Sequence, residues 1–593
     1  MDAVDSNEFD KSDAQKPTGG RRRILRFGIV SLVLVWMAVC AVLGLGAKGD
    51  ISSAEQRVNR AKSNTLAEMI DGKGVNQLRK AEAELAQGHD TLSSPLIAPL
   101  RVVPVIGRQI NSARALSKAA SNALAAGLDS LEVVQKTIDQ EGVPPEERPA
   151  MLATLAGEAN KAHARLIAID LGPSKGLVGP LADARAEFSD RLGRTIRDLD
   201  RAGSGLQQFG ELLKGNSRYL VLAANNAEMR AGSGMFLSAG ELLIENGRLS
   251  ISEMKSASDI RLLDAGEVEV DPEIQSTWGW AQPGRDLRDI GVTPRFDASA
   301  ELAARMWEKS EGTQVDGVMA LDPIVLKALL KAVGPVKVNN RNIGPNNVVD
   351  QLLRQQYIDF ESEADRNYSG RKALLGGIAE TAFLQFDSFN WDATTLANGL
   401  AQAAQGRHLM IWSKDPKMQE AWKKAGIGGT LENDSVMVSV LNYSGTKLDQ
   451  FLTIDAKMDL VADTAGTAVT ISLSLTNTTP DDLPSYIVGP FPGNTLPAGA
   501  YGGVITANVP KTATDLKMDG GDGLVVVGPD GLSQVVGQNI SLESGKERTI
   551  KVTFHLPKKE KMLRIEPAAR VPAIKWKIGD EVFDSEAPRW VTW

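Results

Sequence analysis

Seven arginines and two aspartates are the residues of this chain whose types and placement could do chemistry together. Arg230 follows an apolar, strand-like run and precedes Gly232-Ser233-Gly234. Arg285, Arg288 and Arg295 fall in a Gly/Pro-rich loop from Ala281 to Asp297, while Arg354, Arg366 and Arg371 lie in and beyond a helix expected to start near Asn346. A guanidinium is a planar fork that meets phosphate oxygens with paired hydrogen bonds. Several converging on one place would suit a pyrophosphate, with Asp359 or Asp365 available for a divalent cation such as Mg2+. On spacing alone, the alternative is that these are solvated surface charges and structural ion pairs.

Other chemistries find less support. The four histidines, His89, His163, His408 and His555, are scattered and form no paired-ligand motif. Gly172-Pro-Ser-Lys-Gly176 has the spacing of a nucleophile elbow, but it reads as a break between helices, whereas an elbow needs a strand before it. No phosphate loop ending in Gly-Lys-Ser/Thr occurs. A net charge of -8 over 593 residues argues against a nucleic-acid binder, which carries a dense basic face. The one cysteine, Cys40, leaves no disulfide to form within the chain.

The elements that would position these residues change character along the chain. Residues 1–26 read as a short disordered tail with Arg21, Arg22, Arg23 and Arg26 near its end. Residues 27–47 carry no charge and are long enough as a helix to cross a hydrocarbon layer of about 30 Å. The positive-inside rule then predicts a single-pass plasma-membrane protein with a cytoplasmic N-terminus and its bulk outside the cytoplasm, the bilayer being its first partner.

Residues 48–213 are rich in helix formers, and Leu116, Ala120, Leu124, Leu128 and Leu131 make one apolar stripe. A helical bundle or stalk is expected there. From 214 to 430 strands alternate with helices: Arg218–Ala224 reads as a buried strand, Asn246-Gly247 as a hairpin turn, and Asp322-Pro323 as the start of a helix. That alternation predicts an α/β domain. From 431 to 593 the apolar period falls to two, as in Val436–Leu441, Ala468–Leu475 and Thr549–Phe554, predicting a C-terminal all-β, sandwich-like domain.

Several blocks resemble a known family. Tyr219-Leu-Val-Leu-Ala-Ala-Asn-Asn-Ala-Glu-Met-Arg230, Asp316–Pro323, Ala332–Val336, Gly406–Ser413 and Gly445–Asp449 are similar, in order, to blocks of the domain-of-unknown-function family DUF4012. That family is found largely in membrane-anchored proteins of high-GC Gram-positive bacteria and implies no reaction. A fainter resemblance does imply one. The strand, Asp-Pro, helix and Ala-Val-Gly-Pro-Val resemble the LytR–CpsA–Psr phosphotransferases, which move glycopolymers from a polyprenyl-pyrophosphate carrier onto peptidoglycan.

By that resemblance Arg230, Arg366 and Arg371 would be catalytic, with Arg354 and Asp365 in the same motif to bind substrate and Mg2+; the arginine distribution adds Arg285 and Arg288 for substrate and Asp359 as the other candidate for Mg2+. The sequence departs from the pattern at Gly232, where the enzymes carry an Asp, and at Lys372, where they carry a Gln. Two functions are therefore expected. One is a cell-envelope protein that binds or transfers a polyprenyl-phosphate-linked cell-wall glycopolymer. The other is a non-catalytic extracytoplasmic scaffold or assembly factor for cell-wall or surface polysaccharide, which the missing acid after Arg230 favours.

Overall fold

Apolar residues at three-to-four spacing bring four long helices together: α1 (Lys73–Ser93), α2 (Ile106–Ile138), α3 (Arg148–Ile167) and α4 (Gly179–Lys214). The computed structural model describes residues 73–138, 140, 142–338, 340–359, 377–378, 381–387, 393–491 and 493–593. Leu116, Ala120, Leu124 and Leu128 of α2 meet Leu78 and Leu85 of α1 and Phe188, Leu192 and Leu199 of α4, so each helix buries one stripe and wets the rest. Gly172–Gly176 lies in the connection between α3 and α4, not after a strand.

Among the described residues, no helix is long and apolar enough to cross a membrane. The expected transmembrane helix is corrected accordingly. The long helices α2 and α4 have the length, but charged residues recur along them and only a stripe of each is apolar. Residues 27–47, on which the expectation rested, lie outside the described residues, as do the 1–26 tail, residues 48–72 and Cys40.

The chain then enters a mixed sheet. Its strands are β1 (Asn216–Met229), β2 (Gly234–Glu245), β3 (Arg248–Ile251), β4 (Lys255–Ser256) and β5 (Gly317–Leu321). A separate small hairpin, β6 (Val336–Val338) and β7 (Arg341–Ile343), precedes the last strand of the sheet, β8 (Leu409–Ser413). The order is β3-β2-β1-β5-β8, with β1 parallel to β5 and the other neighbours antiparallel.

Helices α5 (Pro272–Trp278), α6 (Phe296–Glu311), α7 (Pro323–Val333), α8 (Ala393–Gln405) and α9 (Pro416–Ala425) surround it. Alternation along β1 sends Leu220 and Leu222 to a core with Phe296 and Trp307 of α6. It sends Tyr219 and Val221 to the other face, against Leu212 and Leu213 of α4 and Trp422 of α9. Burial on both faces is why this strand is apolar without interruption from Tyr219 to Ala224.

Two six-stranded sheets form the C-terminal part. Their strands are β9 (Ser435–Asn442), β10 (Leu452–Ala462), β11 (Gly466–Asn477), β12 (Tyr501–Pro510), β13 (Thr514–Asp519) and β14 (Leu524–Asp530). They continue with β15 (Ser533–Leu542), β16 (Glu547–Pro557), β17 (Met562–Ile565), β18 (Lys575–Ile578), β19 (Glu581–Asp584) and β20 (Arg589–Thr592). One sheet runs β13-β16-β11-β10-β18-β19 and the other β14-β15-β12-β9-β17-β20. Val436, Val438 and Val440 face Ile471, Leu473 and Val552 across the shared core. Met229, the last residue of β1, belongs to that same core. The sheet of the α/β unit therefore drives its first strand into the sandwich.

Candidate functional site

Each arginine singled out from the sequence and lying within the described residues already has an acceptor. Arg230 is buried, donating to Asp289 Oδ1 from Nη2 (2.8 Å) and Nε (3.1 Å) and to the carbonyl oxygen of Asn442 (2.7 Å). Its guanidinium also lies 4.8 Å from the ring of Tyr443, whose hydroxyl is pushed up by burial. Arg285 donates to the Leu263 carbonyl and Gln282 Oε1, and Arg288 pairs with Asp286, two residues before it. Arg295 bridges to Glu273 (2.8 Å) and Arg354 to Asp350 one helical turn back (2.7 Å). These are ion pairs and carbonyl contacts within the protein.

Asp359 accepts from Arg341 and from Gln355 (2.8 Å). Burial works to raise its carboxyl, and those hydrogen bonds outweigh it and hold it below the usual range. A carboxylate so occupied does not suit Mg2+, and no group of three or more His, Cys, Asp or Glu among the described residues is placed to hold a metal. Arg366, Arg371 and Asp365 lie outside the described residues.

What the fold does bring together is a buried polar seam where the α/β unit meets the sandwich. The ladder of β1 with β2 becomes irregular between Asn225 and Met229, so these residues turn away from the sheet. Asn226 Nδ2 donates to Asp322 Oδ2 and to the carbonyl of Ala569, both at 2.7 Å. His408 Nδ1 lies 2.5 Å from the same Asp322 Oδ2. A carboxylate can only accept, which puts a proton on that ring nitrogen.

Further along, Met229 N–H and Asn442 Nδ2 both donate to Asp449 Oδ2 at 2.9 Å, and Tyr501 Oη donates to its Oδ1 at 2.9 Å. Arg570 stands 3.4 Å from the same carboxylate and donates to the Leu452 carbonyl. Burial raises the Asp449 carboxyl against the pull of Arg570, and burial with the Asp449 charge raises the Tyr501 hydroxyl well above its ordinary value. Burying polar groups is costly unless they are hydrogen-bonded, and here the Asn226 amide and the Met229 N–H find acceptors in the other lobe.

Beside the seam opens a cleft of about 1420 Å³. One wall is α7 and α8; the opposite wall is β10, β18 and the segments 569–573 and 584–587. His408 reaches into it from the seam. Gln402, Gln405 and Asn398 offer amides, Lys331 and Lys575 positive charge, and Asp455 and Glu586 negative charge. Ala328 and Ile324 supply apolar floor. Ala569, on the rim and in the seam, holds φ of +52°, a left-handed backbone unusual for a residue with a Cβ.

The seam and cleft were not among the residues expected from the sequence. A signal existed: Asn225, Asn226 and Glu228 continue an apolar strand, and polar residues in a stretch set for burial are the informative ones.

No curated protein and no solved structure matches the chain. Residues 214–357 match the family described as "Protein of unknown function (DUF4012)". The match holds Asn226, Met229 and Asp322, while their partners Ala569, Asp449 and His408 lie beyond it. Residues 214–357 thus form a region of the DUF4012 family, a family of unknown function.

Proposed function

We propose that the protein is a non-catalytic assembly factor of the cell envelope that holds a segment of wall or surface glycan in the cleft between its α/β unit and its sandwich. The single observation that carries this reading is the cleft's lining. Amides and charges of both signs alternate over apolar patches, and a polyol presents donors and acceptors together. Pockets for small molecules run to roughly 300–1,000 Å³, and a larger, open cleft suits a stretch of polymer better than one small molecule. The rival reading, transfer from a polyprenyl-pyrophosphate carrier, asks for unengaged cations, and Arg230, Arg285, Arg288 and Arg354 are engaged.

Calorimetric titration of the purified chain with size-graded fragments of wall and surface polysaccharide tests this. Binding should strengthen with fragment length, and Gln402→Ala with Lys331→Ala should each weaken it by roughly tenfold, as the loss of about 1.4 kcal/mol does. Absence of binding to every fragment, or binding indifferent to both substitutions, overturns the proposal. Release of polyprenyl phosphate from a polyprenyl-pyrophosphate glycan would put the transferase reading in its place.

A further inference from the structure

We propose that Lys447 and Asn225 become joined by an isopeptide bond, promoted by Glu228, that ties the sandwich covalently to the end of β1. Lys447 is 4% exposed, unusual for a lysine. Its Nζ stands 3.3 Å from Glu228 Oε1. It also sits over three rings, 4.5 Å from the centroid of Tyr486, 5.2 Å from Tyr357 and 5.7 Å from Phe491. Asn225 Nδ2 lies 3.3 Å from the same Glu228 oxygen and donates to Tyr357 Oη at 2.8 Å. A primary amine, a carboxamide and one carboxylate therefore share a buried, aromatic-walled pocket.

The chemistry follows from the placement. A nucleophile beside a base, fixed next to its electrophile, reacts with an effective concentration far above any in solution. Glu228 takes a proton from the Lys447 ammonium. The freed lone pair of Nζ forms a bond to Asn225 Cγ, and the carbonyl pair moves onto Oδ1. The backbone N–H of Ala227 already donates to that oxygen at 3.1 Å and would hold the developing charge.

A second Nζ proton passes by way of Glu228 to Nδ2. The carbonyl re-forms as the Cγ–Nδ2 bond breaks, and ammonia leaves with the proton that Glu228 first took. One amide replaces another, an ammonium ion replaces the lysine ammonium, and nothing is oxidised or reduced.

Intact-mass spectrometry and tryptic mapping of the full chain decide the matter. The chain should be lighter than its sequence by one ammonia. Trypsin should fail to cut after Lys447 and should release Tyr219–Arg230 joined to Ala425–Lys457. Glu228→Gln keeps the side chain's shape without the base, and should restore both the full mass and cleavage at Lys447. A wild-type chain of full mass that is cut at Lys447 overturns the proposal. So does a chain short of one ammonia whose peptides are all linear, since that marks a succinimide at an asparagine. Both overturning results are read on the wild type, so a variant that fails to fold leaves the test standing.

Discussion

Asp449 Oδ2 accepts the backbone N–H of Met229 at 2.9 Å, joining positions 220 residues apart. The bond closes the point where β1 leaves the α/β sheet and Met229 enters the sandwich core. Its two ends belong to different lobes, and both are buried. Neither lobe can leave the other without stripping a carboxylate and an N–H of their partners, so the two behave as one folding unit.

Asp449→Ala should accordingly cost far more than a surface substitution. It removes the acceptor of Met229, Asn442 and Tyr501 and leaves the Arg570 guanidinium buried without a counter-charge. Breaking a buried pair from one side costs about 3–5 kcal/mol. A urea titration should show the midpoint fall with the slope unchanged, the mark of lost stability in a single cooperative unit. Two separated transitions in the wild type would contradict that unit.

Gly247→Ala should loosen the bundle from the α/β unit. Asn246 and Gly247 hold φ of +49° and +85° in the turn between β2 and β3. A Cβ at Gly247 would stand 1.7 Å from the carbonyl oxygen of Pro145, just before α3. Arg148, at the start of α3, donates to the Gly247 carbonyl at 2.9 Å, so the clash falls on the joint itself. The left-handed backbone alone costs a residue with a Cβ about 1–2 kcal/mol. Hydrogen exchange should speed up at 143–148 and 246–248 and stay unchanged in the sandwich.

These joints differ in how well the sequence announces them. The turn at Asn246-Gly247, the strand at Arg218–Ala224 and the cap at Asp322 were legible because each depends on chemistry within a few residues. The arginines were not. A guanidinium that pairs with Asp286 two positions away, or with Asp289 across 59, looks in sequence like one aimed at a phosphate. The seam is harder still, because Asn226 finds the carbonyl of Ala569 across 343 positions and no local period encodes that meeting.

Asp322 allows its two duties to be separated. Its Oδ1 accepts the N–H of Ile324 at 2.8 Å and caps α7, while Oδ2 serves Asn226 and His408. Asparagine caps a helix about as well as aspartate, whereas alanine loses about 1 kcal/mol at such a position. Asp322→Asn should thus be the milder change by about that amount in thermal unfolding. If the two variants are equally damaged, the seam contacts outweigh the cap.

The buried acids set an unusual response to pH. Burial, first among the influences on each, raises the carboxyls of Asp449 and Asp530 above 3.8 and of Glu566 above 4.5. A group with a raised folded pKa binds its proton more tightly in the folded chain. Its stabilising contribution is complete below the unfolded value and is lost as pH rises through the folded one. These three should therefore add stability as pH falls from neutral toward 3.8 to 4.5.

Asp359, Asp463 and Asp522 are lowered, so their contribution is present above 3.8 and disappears as pH falls below it. Melting temperature should hold or rise on mild acidification, then drop once the medium is more acid than about 3.8. Glu566→Gln, neutral at every pH, should flatten the rising part. A wild-type melting temperature that falls steadily from neutral pH downward would show that the buried carboxyls do not take up protons on folding.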